Sequence, residues 1–362
     1  MDRKYWFWLN HIEGIGNIKI RRLLAAFHDD ASEIFFAEMS QLKAVPGISE
    51  KDIMRILDED NKKRRLEEYM AGPKEQVKYI FPIDPEYPQK LKEIYDRPHI
   101  LYYKGRLPIQ ERLSVAVVGS RNCSEYGESV ATELGRLLGQ AGVNVISGLA
   151  MGIDSFAHRG AVLSGGRTFG VLAGGVDKCY PGRNFNLYED MLRNGGVISE
   201  FPPGTPTSPG LFPLRNRIIS GLSDAVIIVE AGAKSGSLIT AAQALEQNRQ
   251  IYAVPGRIGD ADSEGCNRLL RDGAQIVTSY EQLFCDLGLS FFNKKQEEKN
   301  NLVLAREEKM LYSLLLKFKP KSLDTLLDES GMEPGQALSA LLGLELKGLI
   351  KEKGKNFYIR II

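Results

Sequence analysis

Between Leu113 and Val277 a short β-branched apolar run gives way six times to a glycine-bearing loop and then to a helical pattern. The runs are Val115–Val118, Val143–Ile146, Thr168–Leu172, Gly196–Ser199, Ala225–Val229 and Ile251–Val254. They are apolar on both faces, as strands covered by helices on each side must be, and the alternation predicts a parallel α/β sheet. The intervening segments carry helical stripes at Val130, Leu134, Leu137 and Leu138, and again at Leu238, Ala241, Ala242 and Leu245. Small residues in the second stripe predict close packing against the sheet.

The flanks follow other periods. Residues 1–72 read as short helices: Trp6 to His11, a Gly14-Ile15-Gly16 turn, Ile18 to Phe27, then a Val45–Ile48 turn before a helix capped by Ser49 with Asp52 in its first turn. This is the layout of a helix-hairpin-helix or SAM-like module, whose turn amides can face a DNA phosphate. Lys19, Arg21 and Arg22 support that use, and a tight connection beside a solvated charged face accounts for the same residues. From residue 73 to Arg112, prolines at 82, 85, 88, 98 and 108 break any long element, leaving a connector with a strand at Ile100–Tyr103. It is expected to belong to the sheet domain, giving that domain residues 73–286.

A polar stretch at Asn293–Asn301 marks a linker over 287–301. Beyond it, residues 302–362 show a stripe at Leu311, Leu314, Leu315 and Phe318, a second helix from Ser322, a third from Pro334 to about Lys347, and a hairpin of Leu349–Lys351 with Phe357–Ile361. Three helices and a hairpin predict a winged helix. Its third helix carries no Lys or Arg from Gln336 to Leu346 and so cannot neutralise phosphate, which favours protein contact over DNA reading. Lys351, Lys353 and Lys355 still make the wing cationic. The expected fold is thus α/β, an extended Rossmann-like parallel sheet with an N-terminal helical module and a C-terminal winged helix.

Charge adds little globally. The 47 Lys+Arg and 46 Asp+Glu leave +1, so any electrostatic footprint is local. Four dispersed cysteines, with no C-x-x-C pair, predict a reducing cytosol and no structural metal. The charged start, and the absence of about 18 consecutive apolar residues, predict a cytoplasmic protein without a membrane span.

Chemistry concentrates at the carboxyl ends of the runs, which in a doubly wound sheet line one crevice. Gly119-Ser120-Arg121 brings backbone close to a phosphate and adds a guanidinium to clamp it. Lys178 and the Tyr180–Phe185 loop, with Arg183, Asn184 and Phe185, combine cations with rings, as a single strand requires: cations follow its backbone and bases stack on rings. Arg215-Asn216-Arg217 at a helix start can meet phosphates, or can tie loops by pairing with Glu200 or Glu230. Lys234-Ser235-Gly236-Ser237 forms a second phosphate-cradle candidate, and Asn267, Arg268 and Arg271, from the helix after Gly265, are marginal candidates. An acid/base pair of Asp154 and His158 is better read as a cap and a loop tie. No Ser/His/Asp elbow, zinc pattern, Walker loop or G-x-G-x-x-G turn is present, so no enzyme, metal or cofactor is expected.

At these loops the chain resembles the DNA-processing protein A family (DprA, also called Smf) of bacterial transformation. The resembling residues are Val118–Arg121, Ser147–Asp154 with Ala157-His158, Gly174–Asp177 with Tyr180-Pro181 and Asn184, Ser199–Phe201, Phe212-Pro213 with Arg215–Ile219, Ser235–Ala241, and Pro255-Gly256 with Gly265–Asn267. The resemblance implies a non-enzymatic protein that binds single-stranded DNA, shields it, and hands it to the recombinase RecA as a homodimer through its α/β domain. It also implies Arg121 as the main DNA contact and Phe185 as a base-stacking ring. Gly182 stands where family members often carry a basic residue, leaving Lys178 and Arg183 to compete for that work. A nucleoside-monophosphate phosphoribohydrolase on a similar sheet is the alternative, but the Glu230–Ser237 loop lacks its Pro-Gly-Gly-x-Gly-Thr order. A winged-helix transcription factor is disfavoured by the uncharged third helix.

Overall fold

The computed structural model describes residues 2–73, 76–290, 304–316 and 320–361. They fall into two compact units divided between residues 291 and 292. The expected Asn293–Asn301 linker and Phe318 lie outside the described residues.

The first unit is organised by a nine-stranded sheet: β1 (Lys78–Ile80), β2 (Leu101–Gly105), β3 (Ser114–Val118), β4 (Asn144–Ser147), β5 (Arg167–Val171), β6 (Gly196–Ser199), β7 (Ala225–Ile228), β8 (Gln250–Ala253) and β9 (Gln275–Ile276), in the order β1-β2-β6-β5-β4-β3-β7-β8-β9. The six predicted runs are β3 to β8, all parallel to their neighbours among themselves. The connector contributes β2, where Ile100–Tyr103 was expected, antiparallel to β6. It also supplies β1 beyond β2, while β9 extends the opposite edge; neither has an apolar run long enough to register as a strand in sequence.

Alternation along β3 shows how both faces are filled. Val115 and Val117 point into one core, with Val130, Leu134, Leu137 and Leu138 of the Glu125–Gln140 helix, and Ala116 and Val118 point into the other. The second face is covered by helices Leu211–Gly221 and Ser237–Glu246. Here one expectation is corrected. In the Ser237–Glu246 helix the buried row is Ser237, Thr240, Ala241 and Ala244, whereas Ala242 is exposed and Leu245 is 69% exposed. Small residues fill the closest approach of this helix to the sheet; Leu238 is partly buried against the same core, and Leu245 is displaced outward.

The N-terminal helices do not close a core of their own. Trp6, Trp8, Leu23 and Ile53 join Phe81, Tyr102, Leu149 and Tyr188 in one cluster that reaches the sheet. Ser49 caps its helix as expected, and Asp52 bonds back to complete a capping box. Gly14 and Gly47, both left-handed at φ +77° and +78°, stand at equivalent points of two hairpins. Each is overlain by a guanidinium from the other hairpin, Arg55 over Gly14 and Arg22 over Gly47. The helix-hairpin-helix pattern therefore closes on itself.

The second unit has helices Arg306–Leu314, Leu323–Ser330 and Pro334–Leu346 and strands Ile350–Glu352 and Phe357–Arg360, the expected winged helix, with Lys321–Ser322 as an added short strand. Leu311 and Leu315 are buried as the stripe predicts. Among the described residues no helix is long and apolar enough to cross a membrane.

Candidate nucleic-acid interface

In the sheet order, β3 is flanked by β4 and β7, so the chain winds away from β3 in both directions. Loops leaving β3 and β7 consequently part, and a crevice opens above their carboxyl ends. There lies a groove of about 600 Å³ lined by Gly119, Ser120 and Arg121 after β3, Asp154 after β4, Phe212, Arg215 and Asn216 after β6, Lys234, Ser235, Gly236 and Ser237 after β7, and Asp262 after β8. A second hollow joins it through Arg121, Phe212 and Arg215, and is walled by Gly148, Met151, Lys178, Tyr180 and Thr207. Three of the groove's loops are tied closely. Ser120 N–H donates to the Glu230 carbonyl at 2.7 Å, and Ile153 N–H to the Ser120 carbonyl at 3.1 Å. A Cβ on Gly152, at φ +74°, would overlap the Ser120 and Arg121 carbonyls, so glycine is needed where the β3 and β4 loops cross.

The cations are mounted differently. Arg121 is exposed and lies over the Phe212 ring at 4.6 Å, with Tyr180 6.2 Å from that ring on the same wall. Lys178 and Lys234 are exposed. Arg215 is buried, donating to the Gly148 and Val171 carbonyls and, through Nε, to Asn216 at 3.0 Å. Burial brings its pKa down to about 10, against the Asp154 carboxylate that holds it up, so it remains a cation at neutral pH beneath the groove floor. Burial also pushes Asp154 up; the Arg215 charge and the Gly148 and Ala150 N–H groups, at 3.0 and 3.4 Å, oppose it. The hydroxyls of Ser235 and Ser237 lie 2.8 Å apart at the start of the Ser237–Glu246 helix.

The structure therefore brings together Gly119, Ser120, Arg121, Lys178, Arg215, Asn216 and Lys234–Ser237. Five expected residues stand apart. Arg217 is buried in ion pairs with Glu200 and, at 3.1 Å, with Asp96, which is the loop-tying role. Glu200 is pushed up by burial and pulled back by Arg217 and by Asn17, whose amide donates at 3.1 Å from the N-terminal helices. Asn184 donates to the Leu149 and Ala150 carbonyls, supporting the β4 loop, where Leu149 holds φ +54°. Asn267 bonds both the N–H and the carbonyl of Gly256. Arg183 and Phe185 are exposed but line neither hollow; Phe185 stacks on Tyr188. Of the two competing loop cations, Lys178 is the one beside Arg121.

Phe212 is the ring that sequence reading underrated. Its signal was its place three residues before Arg215 at the opening of the same helix, but nothing in the pattern set it against Arg121. His158 is fully buried, bonded to Thr168 Oγ1 at 2.6 Å, and burial pushes its pKa to about 3, so it is neutral and away from the groove. The Lys19 and Arg21 cations of the first hairpin are engaged by Asp52 and by the Tyr95 carbonyl and ring. Among the described residues no cluster of three or more His, Cys, Asp or Glu is placed to hold a metal.

Comparison with known proteins places this geometry. Residues 78–288 match the family model for DNA recombination-mediator protein A, and residues 296–354 match that for the DprA winged helix domain. Protein Smf of Escherichia coli is 34% identical over 352 residues, 92% of each chain. Protein Smf of Synechocystis is 34% identical over 82% of this chain and 76% of its own length. The crystal structure of DNA processing protein A from Streptococcus pneumoniae superposes with a TM-score of 0.65 at 32% identity, covering 80% of this chain and 99% of that one. DNA processing protein A of Helicobacter pylori, solved for its single-stranded DNA binding mode, gives a TM-score of 0.53 at 29% identity, over 59% of this chain and 95% of that one. A match that runs through every loop of the crevice and continues into the winged helix makes this chain a member of the DNA recombination-mediator protein A (DprA/Smf) family.

Proposed function

We propose that this protein binds single-stranded DNA in the crevice without regard to sequence, protects it, and delivers it to the recombinase RecA during transformation and recombination. The observation that carries the binding step is the convergence of Arg121, Lys178 and Lys234, over buried Arg215, on adjoining hollows lined by the Phe212 and Tyr180 rings. Cations follow the phosphates, and Tyr180, exposed on the wall beside Phe212, offers its ring to an unpaired base. Backbone amides and serine hydroxyls read no base, consistent with sequence independence. The H. pylori relative is described as a single-stranded DNA binder, and delivery to RecA is what the family resemblance implies. A homodimer through the α/β domain is supported by the β9 edge, where Gln275 and Ile276 are exposed and one side of the strand is unpaired.

The test is affinity for an oligonucleotide against salt. A single groove neutralising three or four phosphates gives a slope of log affinity on log salt of about −2 to −3. Arg121→Glu is expected to weaken binding by at least about tenfold and flatten that slope. A salt-independent affinity, or a variant that binds as well as the parent, rejects the assignment.

A further inference from the structure

The winged-helix unit leaves one face of its third helix open. Helix Pro334–Leu346 turns Ala337, Ala340, Leu341 and Leu344 inward, while Leu338, Leu342 and Leu346 project outward at 45%, 58% and 81% exposure. Their spacing of four places them on one inclined ridge of the helix surface. A second row at the same spacing, Gly335, Ser339 and Gly343, runs beside it and has almost no side chain to fill its width. Gly335 and Ser339 are exposed, and the Glu308 carboxylate closes the row at Gly343. A winged helix that reads DNA lays this helix in the major groove, between two phosphate backbones. Here the helix has no Lys or Arg and offers leucine instead.

We infer that this face pairs with the same helix of a second copy of the chain, the leucine ridge of each lying in the small-residue groove of the other. Ridge and groove on one surface make the face complementary to itself, which is what a two-fold interface requires. Interdigitation of two i±4 rows sets a crossing near −50°. Charge favours a copy over a foreign partner. From Pro334 to Leu344 no residue is charged, and the Glu308 carboxylate at the groove's end is already paired with Lys347, so apposition brings no unpaired like charges together and a charged partner finds little to pair with. Size sets the strength: three leucines per copy fall well short of the roughly 800 Å² per partner of a stable interface. The contact is therefore weak between free chains and fills when another contact holds two copies close.

The experiment uses the full chain with exposed Cys285 replaced (Cys285→Ser). Ser339→Cys, beside the ridge, and Gln336→Cys, exposed on the same helix but off it, are each treated with a short bismaleimide, and covalent dimer is measured over time. Dimer is expected to form at least about tenfold faster at position 339, and Leu342→Glu or the uncharged Leu342→Gln is expected to erase the difference. Single-stranded DNA affinity, measured in parallel, stays unchanged in both leucine variants. Equal rates at the two positions, fast or slow, overturn the pairing and leave the face to a different protein. So does a 339-specific rate that survives both leucine substitutions. The readout is a ratio of positions, so loss of the proposed α/β contact lowers both rates without imitating either result.

Discussion

At the scale of single residues, three of the guanidiniums that sequence places near the crevice, Arg121, Arg215 and Arg217, do three different things, and burial separates them. Arg121 is free to meet a ligand, Arg215 acts through the floor, and Arg217 is locked to Glu200 and Asp96. Arg217→Ala should leave the Glu200 carboxylate buried without its partner, lowering unfolding free energy by about 3 kcal/mol. DNA affinity of the folded fraction should stay within about threefold, because Arg217 lines neither hollow. Lys178→Ala should do the reverse, with stability changed by less than about 0.5 kcal/mol and affinity reduced. Chemical denaturation and oligonucleotide titration of both variants would separate the roles, and matching behaviour would refute the division. Asp52 offers a pH test in the N-terminal helices. Burial works to raise its pKa, but Lys19 and the Ser49 hydroxyl and N–H bring it down to about 2. Because the folded value lies below the unfolded one, the stabilisation is present above about pH 4 and fades as pH falls toward 2. Lys19 is partly solvated, so Asp52→Asn should cost only about 1 kcal/mol at pH 7. Unfolding curves of parent and variant should converge near pH 2, and a gap that persists there would discount the ion pair.

Among the elements, β3 to β8 were legible because β-branched runs buried on both faces leave no other reading, and Ser49, Ser322 and Pro334 mark helix starts by cap chemistry that is local. What escaped depends on contacts distant in sequence. β1 and β9 are three and two residues long and exist through their neighbours. The hairpin glycines left a DNA-facing turn and a plain tight connection both open, because sequence shows the turn but not the arginine that covers it. The Ser237–Glu246 helix is the sharpest case, since leucine counts as core in any periodicity argument, yet the narrow space over the sheet admits alanine and threonine. That register is testable. Ala244→Leu should overpack the contact and cost about 1–3 kcal/mol, whereas Leu245→Ala should change stability by less than about 0.5 kcal/mol. Thermal melts showing the opposite order would require the helix to be rotated.

For the molecule as a whole, the cations of the crevice matter more to the proposed ligand than the net charge of +1, because Arg121, Lys178 and Lys234 line its two hollows, and of the 46 acids Asp154 and Asp262 line them too. The site was legible to the extent that its loops are contiguous in sequence; Phe212 against Arg121 arises only when the β3 and β6 loops converge. If two chains pair along β9, the pair carries two crevices, and one strand long enough to occupy both gains the second at high effective concentration. An oligonucleotide that spans two crevices should then bind about 100-fold more tightly than one that fills a single crevice, with a steeper salt slope. Ile276→Arg sets a charge on the exposed edge of β9, away from the groove, so it should abolish the length advantage and leave short-strand affinity unchanged. Fluorescence anisotropy with the two lengths, alongside mass measured by light scattering, decides the matter. A length advantage that persists in a monomeric variant would locate the second binding surface within one chain instead.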